Sequence, residues 1–581
     1  MRCAEAKPGR NVRQEQRRKL AGCWAFCLGA LLLLPAPRPG IAQPLSHGPV
    51  VWYENDDLPI APPKERAPNL RWDYVDDSVV QPLRRHSEPA RLVRDIGTVF
   101  GGDHVPPAAN LNSLDEVPNS SWFTNRIGIF PLDAAAAARG PGDGDGPEQG
   151  APWTVISAKT EGVTPGFVIR DAARDAYLIK FDPPGYIGMT TGAGVISNRI
   201  LHAAGYNVPD DAVVFFRRED LVLGQDVKLK LADGSRRAMT QADLDAILAG
   251  VETLPDGSLR AIASKFVDGR PVGPFNYHGR RRDDPNDRIP HQQRRELRGL
   301  RIFAAWLNHF DTKQHNTLDA FQGSEEQGHV VHYLIDFAST LGSGASGPSP
   351  RYGREYTLDL PAVLGRTLAL GLHEGAWWES RRPEGLSELG YFSSADFDPF
   401  AFDPLQPNSA FADCTDRDAY WAAKIISAFT DAQLAVICEQ ARYRDPAATA
   451  AMARILAERR DIIARRCFDR VPPLDFFQVV DGVLLFRDLG VERDIYAPAT
   501  TRYRVRLDNV DDQRRVIDEG RWIERGEAGV SLSQRPRFAE GRAGAAPFVA
   551  ARWQVDRGEG WSDTVAVYIS QRTGHVAALE R

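Results

Sequence analysis

An α+β architecture with two lobes and a β-rich C-terminal extension is the fold class this sequence predicts. Three observations predict it. Short β-rich runs cluster between residues 153 and 267, broken by one stretch of helical periodicity. Helical signals dominate from there to about residue 470. Beyond Pro472-Pro473 the texture turns β again: Tyr503, Val505 and Leu507 alternate with Arg504, Arg506 and Asp508, and Val565, Val567 and Ile569 alternate likewise. The expected divisions are a signal peptide (1–42), an extended N-terminal segment with a flexible insert (43–150), a β-rich first lobe (151–275), a helical second lobe (276–470) and a small β-rich accessory domain (471–581).

Bulk composition narrows the function classes. A hydrophobic fraction of 43% supports a sizeable core. Of the formal net charge of −6, residues 1–42 supply +6 from eight basic and two acidic side chains, so the remainder carries −12. That acidity argues against non-specific nucleic-acid binding.

The first 42 residues have the layout of a secretory signal. Arg10, Arg13, Arg17, Arg18 and Lys19 precede an apolar run, Leu20 to Leu34. Pro35, Pro37 and Pro39 end it, and Gly40-Ile41-Ala42 offers small residues for cleavage after Ala42. Fifteen residues make about 22 Å of helix, short of a hydrocarbon core, so export to the periplasm or medium is expected, with no integral membrane segment after cleavage. Cys414, Cys438 and Cys467 are an odd, sparse set without metal-ligand spacing; one bridge plus a thiol, or three buried thiols, both fit.

Residues 43–150 open Pro- and Asp-rich. Val117–Phe123 reads as a docked extended segment with two aromatic anchors, and Ala134 to Gly150 as a flexible Ala/Gly/Asp excursion. Strands are expected at Trp153–Ser157, Phe167–Arg170, Tyr177–Phe181, Ala212–Phe216 and Ile262–Val267. Between the third and fourth, Val195, Ile196, Ile200 and Leu201 mark a helix over Gly192–Ala204. The loop after the first strand contains Gly162 and Gly166, which would let backbone lie close over phosphates. The third strand carries Lys180 after three apolar residues, a cation aimed at a cleft and in need of an anion. Residues 218–260 read as an insertion with a strand at Val227–Leu231 and a helix at Gln241–Leu248 capped by Thr240. Phe266 and Val267 follow the last strand as a hinge.

Arg280, Arg281, Arg282, Arg294, Arg295, Arg298 and Arg301 interleave with acids, so a solvated surface is expected of them. His291–Asn308 is a predicted helix with Leu297, Leu300, Ala304 and Leu307 on one face; it delivers the chain into Asp311. Leu341 to Pro350 is Gly/Ser/Pro-rich and expected to be mobile. Later helices carry a capping box at Thr430/Gln433 and an Asp445-Pro446 start.

The chemistry concentrates in Asp311-Thr312-Lys313-Gln314-His315-Asn316 and Ile335-Asp336-Phe337-Ala338. An Asp followed five residues on by an Asn, then a hairpin-like span ending apolar-Asp-Phe, suits phosphoryl transfer. Asp311 would take the acceptor proton; Asn316 and Asp336 are hard oxygen ligands fit for Mg²⁺; Lys180 would hold the ATP phosphates. In this pattern the chain resembles the protein-kinase-like superfamily, closest to its atypical members: the phosphoinositide kinases and the HipA-type and spore-coat-type bacterial kinases. The resemblance implies a bilobal protein-kinase-like fold over roughly 153–470, with a five-stranded, one-helix N-lobe and a helical C-lobe. It also implies ATP and Mg²⁺ as cofactors, Gly162, Gly166, Phe266 and Val267 as nucleotide contacts beside Lys180, and a protein or small-molecule acceptor.

The sequence departs from that pattern at Asn308-His309-Phe310-Asp311 and at Ala338. It departs again between Pro183 and Pro209, where no Asp or Glu is available to pair with Lys180. A pseudokinase acting as a binding module is therefore an alternative. A second is a metal-dependent hydrolase gathering His309, Asp311, His315, His332 and Asp336.

Overall fold

Strand alternation builds the first layer. In the computed structural model, which describes residues 44–67, 69–87, 105–158, 166–230, 235–357, 380–534 and 546–581, five strands lie close to the expected runs. They are β1 (Trp153–Ala158), β2 (Gly166–Arg170), β3 (Ala176–Phe181), β4 (Asp211–Phe216) and, beyond the insertion strands β5 (Leu221–Leu223), β6 (Lys228–Lys230) and β7 (Arg236–Ala238), β8 (Leu259–Lys265). The sheet runs β4-β8-β3-β2-β1-β5, antiparallel except for the β1–β5 edge.

Both faces of this sheet are covered. Val155, Ile169, Ile179, Phe181, Val214 and Phe216 on one face bury Leu244 and Leu248 of helix α2 (Gln241–Ala249). Residues 218–260 are therefore the lid of the outer face, and the Thr240–Asp243 capping box starts α2 as the sequence indicates. On the opposite face Val213 and Ile262 meet Val195 of helix α1 (Met189–Ala204).

A second sheet, β11-β10-β9, is made of β9 (Arg270–Gly273), β10 (Thr317–Gly323) and β11 (Gly328–Leu334). Next come α3 (Arg295–Leu307), α4 (Asp416–Ile426), α5 (Asp431–Glu439) and α6 (Pro446–Phe468), which share the largest core. Trp306 lies at its centre and donates its indole N–H to Leu456 O at 2.9 Å. From residue 474 onward the chain is mostly β, in a three-stranded sheet and a six-stranded sheet. Among the described residues no single helix is long and apolar enough to cross a membrane. Residues 1–42 lie outside the described residues, so the signal-peptide expectation is not addressed.

Several expectations are corrected. Arg294, Arg295 and Arg298 are not solvated: each is buried. Their charges are met by acids distant in sequence: Arg294 by Glu54 at 3.1 Å, Arg295 by Asp115 at 2.9 Å and Asp418 at 3.0 Å, Arg298 by Asp418 at 3.6 Å. The supposed flexible excursion begins as a helix, Ala134–Arg139, because Asp133 caps it with a 2.7 Å bond to Ala136 N and Ala137 is fully buried. Leu341 to Ser343, expected to be mobile, is pinned by Leu341 N to Leu307 O at 2.7 Å and by the buried Thr340 and Ser343 side chains. Cys414, Cys438 and Cys467 are free thiols.

Candidate active site

Helix α3 ends because Asn308 adopts the left-handed conformation (φ 48°), tolerable for Asn. That turn releases His309, Phe310 and Asp311 into a tight loop, closed by a 3₁₀ turn at Gln314–Asn316 before β10 begins. Antiparallel pairing of β10 with β11 returns the chain so that Ile335 N–H donates to Asn316 O at 3.0 Å. Asp336 is thereby set beside Asn316. It too is left-handed (φ 62°), while Phe337 next to it is buried in the main core. Holding a non-glycine residue there costs of order 1 kcal/mol, supplied by the anchored Phe337 and the hairpin.

Lys180 completes the cluster from the other sheet. On β3 it lies between Gly166 of β2 and Ile262 of β8, and its Nζ meets Asp336 Oδ1 at 2.9 Å. Asp311 is oriented by its own loop: Lys313 Nζ lies 2.9 Å from Oδ1 and 3.0 Å from Oδ2, and Asn316 Nδ2 donates to Asp311 O at 2.7 Å and to Oδ2 at 3.0 Å. The amide N–H₂ of Asn316 is thus committed to Asp311, leaving Oδ1 as its remaining ligand atom. Asp336 and Asn316, with a carboxylate and an amide oxygen, form a donor set that fits Mg²⁺. His309 is fully buried; desolvation lowers its pKa against the opposing pull of Asp311 and Asp336, so its ring is neutral at pH 7.

The predicted nucleotide contacts divide. Gly166 stands opposite Lys180 in the β2–β3 register, whereas Gly162 lies outside the described residues. Phe266 N–H is taken by Ala176 O at 2.9 Å and its ring is exposed; Val267 follows, half-buried.

The hydrolase arrangement does not assemble. His332 Nδ1 is 2.6 Å from Asp319 Oδ1 and its ring stacks on Trp122 at 3.5 Å. His315 Nε2 is 3.1 Å from Asp73 Oδ2. Among the described residues no group of three or more His, Cys, Asp and Glu side chains could hold a metal ion. His332 is held by a hydrogen bond to Asp319, while His315 only lies within ion-pair distance of Asp73 and its Nε2 makes no hydrogen bond among the described residues.

The N-terminal segment contributes what sequence reasoning missed. Arg66 donates to Gln314 Oε1 at 2.8 Å and reaches Asp73 at 3.4 Å, so this segment buttresses the Asp311 loop. A cavity of about 580 Å³ adjoins it, lined by Arg71, Tyr74, Val75, Lys313, His315 and Gln406. Nothing in the Pro- and Asp-rich composition of 43–87 signals this: the contact is made by single side chains across a large sequence gap.

No family model matches the chain, and no curated protein does. Among solved structures it is similar to the Golgi casein kinase, at 9% identity and a TM-score of 0.26, over 55% of this chain and 74% of that one. It is similar also to the Golgi casein kinase with Mn/ADP bound, at 10% identity and the same TM-score and coverage.

Proposed function

We propose that the protein is an atypical kinase-like phosphotransferase that uses Mg-ATP, its N-lobe spanning 151–275 and its C-lobe 276–470. One observation carries the reading: Lys180 of the first sheet and Asp336, just past the end of β11, meet at 2.9 Å beside the Asp311–Asn316 loop. A cation, two oxygen ligands and an oriented carboxylate are then drawn into one cluster.

In this scheme Lys180 grips the phosphates of ATP, and Asn316 and Asp336 hold Mg²⁺. Bound there, Mg²⁺ would neutralise charge on the transferring phosphoryl group. Asp311, held by Lys313 and Asn316, accepts the proton of an acceptor hydroxyl. The cavity beside Lys313 and His315 offers that acceptor, protein or small molecule, a place next to Asp311. Export through the 1–42 segment remains part of the proposal, as does the absence of a nucleic-acid partner.

A binding module without turnover is the second reading, favoured by the same ion pair. Lys180 and Asp336 neutralise each other here, and α1 offers no acid to take Lys180 away.

Thermal unfolding with and without Mg-ATP, followed by γ-phosphate transfer to a protein or small-molecule panel, tests both. The expected result is a rise in Tm with Mg-ATP that Asp336→Ala abolishes, and transfer that Asp311→Asn abolishes while the rise survives. Absence of any shift at millimolar Mg-ATP defeats the nucleotide reading; a shift without transfer selects the binding module.

A further inference from the structure

A buried carboxylate on β4 has no use in the scheme above. Asp211 is 3% exposed, and its Oδ1 has no hydrogen-bond partner among the described residues. Unpartnered buried carboxylate oxygens are costly, so this one needs a reason. Desolvation pushes its pKa up to about 7, against the opposing influence of the Ser264 hydroxyl, Arg199 and Lys180.

Its place in the sheet supplies the reason. Strand register puts Lys180 opposite Ile262, Ile262 opposite Val213, and Ser264 opposite Asp211. Ile262 and Ser264 are two apart on β8, Val213 and Asp211 two apart on β4, so all five residues share one face. That is the face covered by α1, because Val213 and Ile262 pack on Val195 whereas Ala212 and Val214 pack in the opposite core.

Nothing on α1 can do the same work. Gly194 sits over this face so closely that a Cβ would lie 2.9 Å from Ile262 Cδ1, 3.8 Å from Ala338 N and 3.9 Å from Phe337 C. A side chain there would have to displace Ile262 Cδ1, and α1 as it stands carries no acid. Arg199, the one cation of α1, is held by Asp210 at 3.2 Å, by Asn198 Oδ1 at 3.0 Å and by the main-chain oxygen of Asp211 at 2.7 Å. Asp210 adds a like charge beside Asp211, so Lys180 is the available cation on this face.

We infer that Asp211 is the positioning acid for Lys180: on nucleotide binding Lys180 leaves Asp336 for Asp211, freeing Asp336 to act as a ligand. This rests on the nucleotide reading above. It moves the acid that a helix would carry onto the sheet itself, two residues along from the Lys180 row.

The experiment is a double-mutant cycle in the full chain, read as the Mg-ATP dissociation constant by calorimetry at pH 8. Asp211→Asn weakens binding by about tenfold in the wild-type background and by less than about twofold when Lys180→Met is already present. Equal losses in both backgrounds mean a merely structural role and overturn the inference, as does no loss at all. If the wild type binds no Mg-ATP, the nucleotide reading fails and takes the inference with it. A second readout needs no Asp211 variant. Wild-type affinity tightens as pH rises through about 7, where Asp211 ionises, and the Lys180→Met chain lacks that increment. Identical pH profiles for the two chains also overturn it.

Discussion

Arg295 shows how much of this molecule rests on buried charge. Its guanidinium donates to Asp418 Oδ1 at 3.0 Å and to Asp115 O at 2.6 Å and Oδ1 at 2.9 Å, with both side chains almost wholly enclosed. Removing one partner strands the others, so Arg295→Ala is expected to cost about 3–5 kcal/mol, measured by urea unfolding. The same cluster sets acid sensitivity. Burial alone would raise the pKa of Asp115, yet Arg295, Arg417 and Arg581 outweigh it and the net shift is downward. A carboxylate depressed in the folded state contributes stability at neutral pH that is lost as pH falls through its folded pKa, so wild type should lose stability on acidification below pH 4 more steeply than Arg295→Ala. Sequence reading placed Leu297, Leu300, Ala304 and Leu307 on one helix face correctly, since a 3.6-residue period is local. It misread Arg295 and Arg298 as solvated because Asp115 and Asp418, which make their burial tolerable, are remote in sequence. Lys180, Asp311, Asn316 and Asp336 stand out as candidates because each sits at a fixed offset from a strong strand or helix signal, and the fold brings Lys180 to Asp336 and Asn316 to Asp311.

Helix α1 is the element on which the first sheet and the Asp336 loop meet. Its start is fixed by Asp182, whose carboxylate accepts from Gly188 N at 2.8 Å, Thr190 N at 2.8 Å and Thr191 N at 2.9 Å and from both threonine hydroxyls. Those donors are among the unpaired N–H groups of any helix start, so one buried acid satisfies a whole turn. Ser197 Oγ then bonds Thr340 Oγ1 at 2.8 Å and Thr340 reaches Ala193 O at 3.2 Å, bolting the helix to the segment after Asp336. Restoring an acid to this helix should therefore fail. Gly194→Glu would crowd Ile262 Cδ1, 2.9 Å from a Cβ placed there, and is expected to destabilise by about 1–3 kcal/mol without tightening Mg-ATP binding. Thermal shift with and without nucleotide checks both halves; a stable variant with higher affinity would show that Lys180 does want a helix acid. The strands of this region were readable from alternation, and their ends moved by only a few residues, as at β8, which runs Leu259–Lys265 and stops short of Val267. The role of α2 as cover for the outer face was not readable, because a short amphipathic helix does not name the surface it seals.

At the scale of the whole molecule, three stretches remote in sequence are tied together by one buried network. Glu116 from the N-terminal segment pairs with Lys424 of α4, and Lys424 pairs with Asp475 of β12 (Leu474–Val480) at 3.1 Å. Arg581, the last residue, donates to Asp475 Oδ2 at 2.7 Å, to Leu474 O at 2.8 Å and to Pro472 O at 3.1 Å. Tyr420 joins Asp475 at 2.8 Å. Leu45 at the start of the described chain packs into the C-terminal strands beside Phe548 and Tyr568. Sequence texture draws a boundary near residue 471, but these contacts cross it in both directions. A C-terminal β unit coupled only through a linker would melt separately; one coupled through buried charges cannot leave without stranding Lys424 and Glu116. A single calorimetric transition is therefore expected, with the near-UV signal of the helical core and that of Trp553 in the C-terminal sheets disappearing together. Asp475→Ala should lower that one midpoint by about 2–3 °C, taking about 3 kcal/mol and the weaker temperature response of a long chain. Two resolved transitions, with only the lower one moved by Asp475→Ala, would show that the network joins neighbours that fold independently.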